Sequence, residues 1–526
     1  MMRKTIWSGV TLMLAPWLAH AGEQCTALSK FEMPNVSITS TTSQPAGTFT
    51  TEAGQKLPGL PAFCRVVGVA TPTPQSKIGF EVWLPEQRWS GRYVQAGNGG
   101  LAGVIFHPLL AQLLARGHAT SSTDNGHQAS PIDGSWAIGQ PEKVRDFAER
   151  AVQVTNGIAK AMVAKFYQKP AERSYFFGCS EGGREALIAA QRYPDAFDGI
   201  VVGAPAADWT HLLTGFAWRS QALHGSQEGY IPESKLPFIQ AAAMKACDAK
   251  DGVEDGLVAD ASCRFDARKL ECRGSSTDQC LTKAQVSSLE RLYADLRDPK
   301  TNVVIAPGYV PSGENETGPM GGGVRQYAFG AKQGQSAQLA FSTGYFGGFV
   351  FERPDWDFRS FDVTRDLPIA RQKLGALMDA TDPDLTKLRK SNVKLLQYHG
   401  LLDGSIPPAM STHYFDRVQA RMGNTQDYYR LFLAPGVLHC GFGPGPNVFG
   451  NLATPGADAD HDTLLALERW VEKGVAPASI IATKYTNDDP SKPVLRTRPL
   501  CPYPQVAKWD GKGDIDRSES FKCASP

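Results

Sequence analysis

Phe177-Gly178-Cys179-Ser180-Glu181-Gly182-Gly183 lies between the apolar run Ser174-Tyr175-Phe176-Phe177 and the helix-favouring stretch Arg184-Glu185-Ala186-Leu187-Ile188-Ala189-Ala190. Strand, sharp glycine-rich turn and helix is the setting of a nucleophile elbow, and Gly178-x-Ser180-x-Gly182 has its spacing. The backbone around such a serine is strained and crowded, so glycines on both sides let strand and helix approach. The pattern alone fits many ordinary turns; its position after a β-rich run and before a helix gives it weight.

Working upstream, Ile78-Gly79-Phe80-Glu81-Val82-Trp83-Leu84-Pro85 alternates as a strand does, and Arg92-Tyr93-Val94-Gln95 runs directly into Ala96-Gly97-Asn98-Gly99-Gly100. A strand entering a glycine loop is where an α/β hydrolase supplies one backbone donor to an oxyanion. Gly99 is the expected donor, with Gly100 as the alternative, and the second is the N–H of Glu181. His118 to His127 reads as a further strand and turn, and Asp146 to Phe166 as an amphipathic helix. His127 itself carries only a structural reading.

Downstream, Gly199-Ile200-Val201-Val202-Gly203 is a short, wholly apolar strand, as a sheet covered on both faces requires. Alternation of such strands with helical segments predicts a mainly parallel, doubly wound sheet. From Asp208 to about Pro383 this alternation is lost and glycine is frequent, which predicts an inserted lid. Its aromatic stretch Phe341 to Phe351 reads mostly as a small packed core. The sheet resumes at Val393–Gly400 and again at Tyr428–Leu433, shortly before Asp403 and His439.

Ser180, Asp403 and His439 therefore follow one another in the Ser, Asp, His order of α/β hydrolases, each just past an expected strand. Nucleophile, orienting acid and general base are the roles that order implies. The expected architecture is an α/β-hydrolase fold with a large inserted lid domain: a leader over 1–21, the first part of the hydrolase domain over 22–206, the lid over 207–385 and the second part over 386–526. Taken singly, Asp403 in Leu402-Asp403-Gly404-Ser405 is a good turn residue and His439 a structural histidine. His399 reads either as a pocket residue or as a hydrogen-bonded core histidine, and Ile406 as a wall of the acyl pocket.

Met1 to Ala21 has the charge, apolar run and Ala19-His20-Ala21 end of a secretory signal, which predicts a secreted or periplasmic protein. No later stretch is long and apolar enough to cross a bilayer. With 54 Lys and Arg against 53 Asp and Glu, nothing marks the chain for nucleic acid or anionic membranes. Ten cysteines in an exported chain argue for disulfides, although spacing leaves their pairing open. Cys25 and Cys64 flank an N-terminal arm, and Cys501 and Cys523 a loop-rich tail. Cys179 precedes the proposed nucleophile and Cys440 follows the proposed base, so a bridge between them would tie the two loops together.

Cys179-Ser180, Asp403 and His439-Cys440 together resemble the signature of the tannase and feruloyl esterase family, which includes the bacterial mono(2-hydroxyethyl) terephthalate hydrolase. The similarity spans nearly all of the mature chain. It implies a Cys179–Cys440 disulfide and further bridges Cys25–Cys64, Cys247–Cys263, Cys272–Cys280 and Cys501–Cys523. It also implies a lid that binds an aromatic acyl group. The segment Cys247-Asp248-Ala249-Lys250-Asp251-Gly252-Val253-Glu254-Asp255-Gly256-Leu257 crowds four carboxylates, which on their own form a solvated acidic turn. The resemblance makes it a structural calcium site, with Asp248, Asp251 and Asp255 as side-chain ligands and Val253 and Leu257 as carbonyl ligands.

These readings converge on a serine esterase for a small aromatic ester, hydroxycinnamoyl esters first, with gallate esters and terephthalate monoesters as alternatives. An inactive, calcium-stabilised binder of aromatic ligands is the rival from another class. Calcium is the one cofactor implied; oligomeric state is not encoded in any motif.

Overall fold

The apolar stretches on either side of Ser180 become strands buried on both faces. In the computed structural model, which describes residues 22–318, 322–452 and 454–526, nine strands form one sheet. They are β1 (Val36–Gln44), β2 (Phe63–Ala70), β3 (Ile78–Pro85), β4 (Arg92–Ala96), β5 (Ala119–Thr123), β6 (Arg173–Cys179), β7 (Gly199–Gly203), β8 (Lys394–Gly400) and β9 (Tyr429–Ala434). Their spatial order is β1-β2-β3-β5-β4-β6-β7-β8-β9. The first three pair antiparallel, and β3 meets β5 antiparallel. From β5 to β9 every pairing is parallel. Parallel strands end on one edge, so the loops after β4, β6, β8 and β9 are gathered there, the usual location of a site in such sheets. The leader expected over 1–21 lies outside the described residues.

Helices cover both faces. Phe176 of β6 packs with Ile200, Val202 and Leu395 beneath α1 (Ala151–Tyr167), α2 (Glu181–Arg192) and a later helix over Ala409–Met422. Its neighbours Tyr175 and Phe177 face the other way, with Val201, Leu396 and Phe432 beneath Leu464, Leu467 and Trp470 of the helix Thr463–Lys473. The period of two along β6 thus feeds two cores. Each fully buried Phe or Leu contributes about 1.5–3 kcal/mol.

The helix expected over 146–166 begins earlier, at Pro141, and widens to a π-turn over Asp146–Arg150 before α1 continues. Asp146, wholly buried, accepts from Ser76 Oγ and Arg150 Nε, both at 2.5 Å. Widening leaves the Phe147 and Ala148 carbonyls to accept from Arg184 of α2, at 2.9 and 2.8 Å. The tail is more ordered than its loop-rich composition suggests. It forms two hairpins, Ile480–Tyr485 with Val494–Leu500 and Val506–Trp509 with Phe521–Ala524.

The insertion leaves the sheet after β7 and rejoins before β8. Its two stalks meet where Ala380 N–H donates to Ala207 O at 2.7 Å. It contributes its own apolar clusters, one of which contains Tyr345, Phe346 and Phe349. Five disulfides join Cys25–Cys64, Cys179–Cys440, Cys247–Cys263, Cys272–Cys280 and Cys501–Cys523. Among the described residues no helix is long and apolar enough to cross a membrane.

Candidate active site

Ser180 joins β6 to α2 with φ 66° and ψ −121°, a conformation that an L-residue adopts only when its surroundings impose it. Its N–H donates to Gly203 O at 3.0 Å and its carbonyl accepts from Ala206 N at 3.0 Å, so strand and helix hold it from both sides. Glycine is required on both sides of it because a Cβ on Gly178 would stand 2.3 Å from Gly182 O and one on Gly182 2.7 Å from Asn98 O. The loop after β4 and the elbow therefore lie in backbone contact.

Asp403, fully buried after β8, accepts from His439 Nδ1 at 2.7 Å through Oδ2. Its Oδ1 accepts from the N–H groups of Ser405 and Ile406, both at 2.8 Å. Burial favours the neutral acid, but the His439 charge and the bonds from His399 and His439 outweigh it and hold the carboxyl down at about 2. An ionised Asp403 fixes the proton on His439 Nδ1 and leaves Nε2 free to accept one. Cys179 and Cys440, the chain neighbours of Ser180 and His439, are disulfide-bonded with Cα atoms 5.9 Å apart. Among the described residues no hydrogen bond joins Ser180 Oγ to His439. Such bonds are often formed only once substrate is present.

His399 does not line a pocket, which corrects that half of its sequence reading. It is completely buried: Nδ1 accepts from Ser411 Oγ at 2.7 Å, while Nε2 lies 3.1 Å from Asp403 Oδ2 and 3.0 Å from Ile406 O. Ser411 Oγ in turn accepts from Gln397 Nε2 at 2.6 Å. Asp403 thus has a second histidine behind it. Ile406 is 1% exposed and packs in the aromatic cluster of the lid, so it is not an open pocket wall in this conformation.

The lid reaches the loops of Asp403 and His439 directly. Gly322 O accepts from His439 N at 3.2 Å and from Gly404 N at 3.0 Å, bridging base loop and acid loop. Tyr309 Oη donates to Ser405 O at 2.6 Å, and Gln338 Nε2 donates to Gly404 O at 3.2 Å. Tyr327 stands edge-on to the His439 ring at 5.7 Å and parallel to Phe341 at 6.4 Å. Burial and the Asp403 charge push its phenol up to about 12, so it is neutral at neutral pH. Of these lid residues only Phe341, at the start of the aromatic stretch, stands out in the sequence; the glycines before Tyr327 are a weaker signal.

In the loop after β4, Asn98 O accepts from Gly182 N at 2.9 Å. A trans peptide directs its C=O and N–H oppositely, so Gly99 N–H is turned away from α2. Among the described residues neither it, nor Gly100 N–H, nor Glu181 N–H has a protein acceptor. A cavity of about 820 Å³ lies between Ile132–Ser135 with Ile138 and lid residues that include Gln326, Leu339 and Phe358, and no residue of this loop lines it.

The acidic loop is held by its own aspartates. Asp248 accepts from Asp255 N and Gly256 N at 3.2 and 3.0 Å, and Asp251 from Val253 N and Ala259 N, both at 3.0 Å. Asp251, Val253, Asp255 and Leu257 share a cavity of about 50 Å³ with Leu401, Leu433 and Pro435. The loop therefore abuts the ends of β8 and β9 and is not confined to the lid. Arg498 from the tail donates to Asp255 Oδ2 at 2.5 Å.

Residues 64–524 match the family model described as tannase and feruloyl esterase. The chain belongs to the tannase and feruloyl esterase family. An uncharacterized esterase of Xanthomonas campestris pv. campestris is 41% identical over 96% of this chain and 92% of the relative. A probable feruloyl esterase of Arthroderma benhamiae is 34% identical over 85% of this chain and 83% of the relative. The solved feruloyl esterase B of Aspergillus oryzae superposes with a TM-score of 0.88 at 28% identity, covering 96% of this chain and all of the other. As a member of this family the protein is a carboxylic ester hydrolase, with an α/β-hydrolase fold around which the lid is built.

Proposed function

We propose that this esterase of the tannase and feruloyl esterase family is an exported serine hydrolase that cleaves esters of aromatic carboxylic acids, feruloyl and other hydroxycinnamoyl esters first. The observation that carries the reading is the Asp403–His439 pair, linked through Cys440–Cys179 to a strained Ser180. Ser180 Oγ attacks the ester carbonyl while His439 Nε2 takes its proton. The tetrahedral oxyanion accepts hydrogen bonds from Glu181 N–H and Gly99 N–H, which among the described residues have no protein acceptor. On collapse His439 returns the proton to the departing alcohol. Water activated by the same imidazole then hydrolyses the acyl-enzyme, and Asp403 stabilises the imidazolium in both halves.

Tyr327 and Phe341, stacked beside His439, support an aromatic substrate. The names of the relatives from Arthroderma benhamiae and Aspergillus oryzae support feruloyl over galloyl as the first acyl group. We also propose that Asp248, Asp251 and Asp255, with the carbonyls of Val253 and Leu257, hold a calcium ion. An all-oxygen donor set suits that hard cation, and four of the five residues line one small cavity. Bound there, it would neutralise the crowded carboxylates and stiffen the junction of lid, strand ends and tail.

The test is Ser180→Ala assayed on methyl ferulate, methyl gallate and a terephthalate monoester, with fluorophosphonate labelling of the wild-type protein. Loss of about a thousandfold or more in kcat with the variant folded is expected. A folded Ser180→Ala at wild-type rate, or a wild-type protein that is not labelled at Ser180, would end the serine mechanism. The second result would favour the binding-protein alternative.

A further inference from the structure

Helix α2 carries two charged side chains, Glu181 and Glu185, that are wholly buried, with Arg184 buried between them. Burying ions is costly unless they do something that water does not. Arg184 bonds Glu181 Oε1 at 2.5 Å and the Phe147 and Ala148 carbonyls, which accounts for one of the acids. Burial pushes both carboxyls up from the ordinary range, Glu181 well up with the Glu185 charge adding to it.

Glu185 turns elsewhere. Its Oε2 accepts from the backbone N–H of Asn98 at 3.0 Å, and its Oε1 from Asn125 Nδ2 at 2.7 Å. Asn98 Nδ2 donates to Thr123 O at 2.6 Å and to Asn125 Oδ1 at 3.0 Å, which closes a ring through Glu185, Asn98 and Asn125. All three are at most 3% exposed. Further along the loop His127, stacked 3.6 Å from Trp136, bonds Leu101 O through Nε2 at 3.0 Å, and Leu101 N–H donates to Pro131 O at 2.9 Å.

The Asn98 N–H belongs to the peptide that precedes Asn98, and the Asn98 carbonyl to the one that follows. Glu185 fixes the first and Gly182 N–H the second, so the direction of Gly99 N–H is set by two residues of the helix that also presents Ser180. Without a buried acceptor for Asn98 N–H, a flip of this glycine-rich stretch would no longer be opposed by an unsatisfied donor.

We infer that Glu185 is a positioning residue for ester hydrolysis: through Asn98 it holds the loop 97–100 so that a backbone N–H is aimed at the oxyanion. The inference rests on the serine mechanism proposed above. It makes α2 the carrier of nucleophile, first oxyanion donor and the clamp on the second, which couples the two halves of the hole mechanically. The effect belongs to the transition state, because the oxyanion exists only there.

Glu185→Gln, Asn125→Asp and the double variant, compared with wild type and Ser180→Ala on methyl ferulate, test it. Glu185→Gln places an amide donor against one of two donors. It is expected to lower kcat about 10- to 100-fold with KM within about twofold, since small misplacements of reacting groups cost up to about 100-fold. Inhibition by an arylboronic acid, which engages the same hole, should weaken in parallel. In the double variant the amide nitrogen introduced at position 185 can donate to the carboxylate introduced at position 125, while the amide oxygen accepts from Asn98. There kcat should recover at least about tenfold over Glu185→Gln.

Wild-type kcat in Glu185→Gln, a loss fully accounted for by fewer titratable active sites, or a folded double variant no better than the single would overturn the role. If Glu185→Gln does not fold, the double variant decides alone: kcat within about threefold of wild type supports the role, and a deficit of about tenfold or more overturns it. Full activity in Ser180→Ala would instead overturn the serine mechanism, so the two failures are distinguishable.

Discussion

Cys179 and Cys440 are bonded with Cα atoms 5.9 Å apart, although 261 residues, including the whole lid, separate them in the chain. One sulfur precedes the proposed nucleophile and the other follows the proposed base, so the bridge acts where two loops from non-adjacent strands must keep a fixed distance.

Replacing both cysteines, Cys179→Ser with Cys440→Ser, should lower stability by about 2–5 kcal/mol, because a long loop is no longer closed in the unfolded chain. kcat should fall by about tenfold or more with a smaller change in KM, since the Ser180–His439 separation is what the bridge fixes. Urea denaturation and steady-state kinetics on one ester check both. Equal stability and kcat would mean that lid and sheet packing alone hold the two loops.

His399→Leu removes the ring behind Asp403, the proposed triad acid, and leaves the volume roughly filled. A hydrogen bond to a charged group contributes about 1.5–3 kcal/mol, so kcat should drop about tenfold or more while KM holds. Steady-state measurement separates this from substrate contact, for which KM would rise and kcat would not fall.

Asp124 closes β5 beside the loop 97–103 and is 7% exposed; Gly126 N and Gly79 N donate to it at 2.8 and 2.9 Å. Burial pushes its carboxyl up to about 7 despite these donors. The folded state therefore binds a proton that the unfolded chain releases near pH 4, and stability declines as pH rises from about 4 to about 7. Asp124→Asn abolishes that decline. Chemical denaturation should show little gain at about pH 4 and a gain on the order of 4 kcal/mol at about pH 8. Equal gains at the two pH values would rule the titration out.

Chelation with EGTA should lower the melting temperature by several degrees if the acidic loop holds calcium, and added calcium should restore it. Asp251→Asn should start lower and respond to neither. A wild-type melting curve that ignores EGTA in metal-depleted buffer would remove the ion from the account.

The elbow is legible because several independent requirements coincide within a few residues: an apolar strand, glycines at contact distances and a helix start. Asp403 and His439 can be read because parallel strands end on one edge, so position in the chain stands for position in space. His399 cannot be resolved, since a histidine on a buried strand looks the same whether it faces a cavity or a carboxylate. Tyr327, Tyr309 and Gly322 are invisible for a related reason. Tyr309 and Gly322 sit on irregular segments and Tyr327 on a single π-turn over Arg325–Phe329, too short for a periodicity, and what defines them is a partner about 70–120 residues away. Glu185 leaves one faint sign: two carboxylates on a helix that neighbouring Ala, Leu and Ile mark as buried. Glutamate is also a good helix former, and that property masks the sign.

The carbonyl of Gly322, shared between the backbones of His439 and Gly404, changes what it means to exchange lids among these esterases. A graft that keeps only the pocket walls would sever the strap on which the loops of acid and base both hang, and would forfeit turnover while seeming to alter preference alone. Chimaeras meant to retune the choice of ester should carry the strap with its own hydrolase body and cut the chain on its far side.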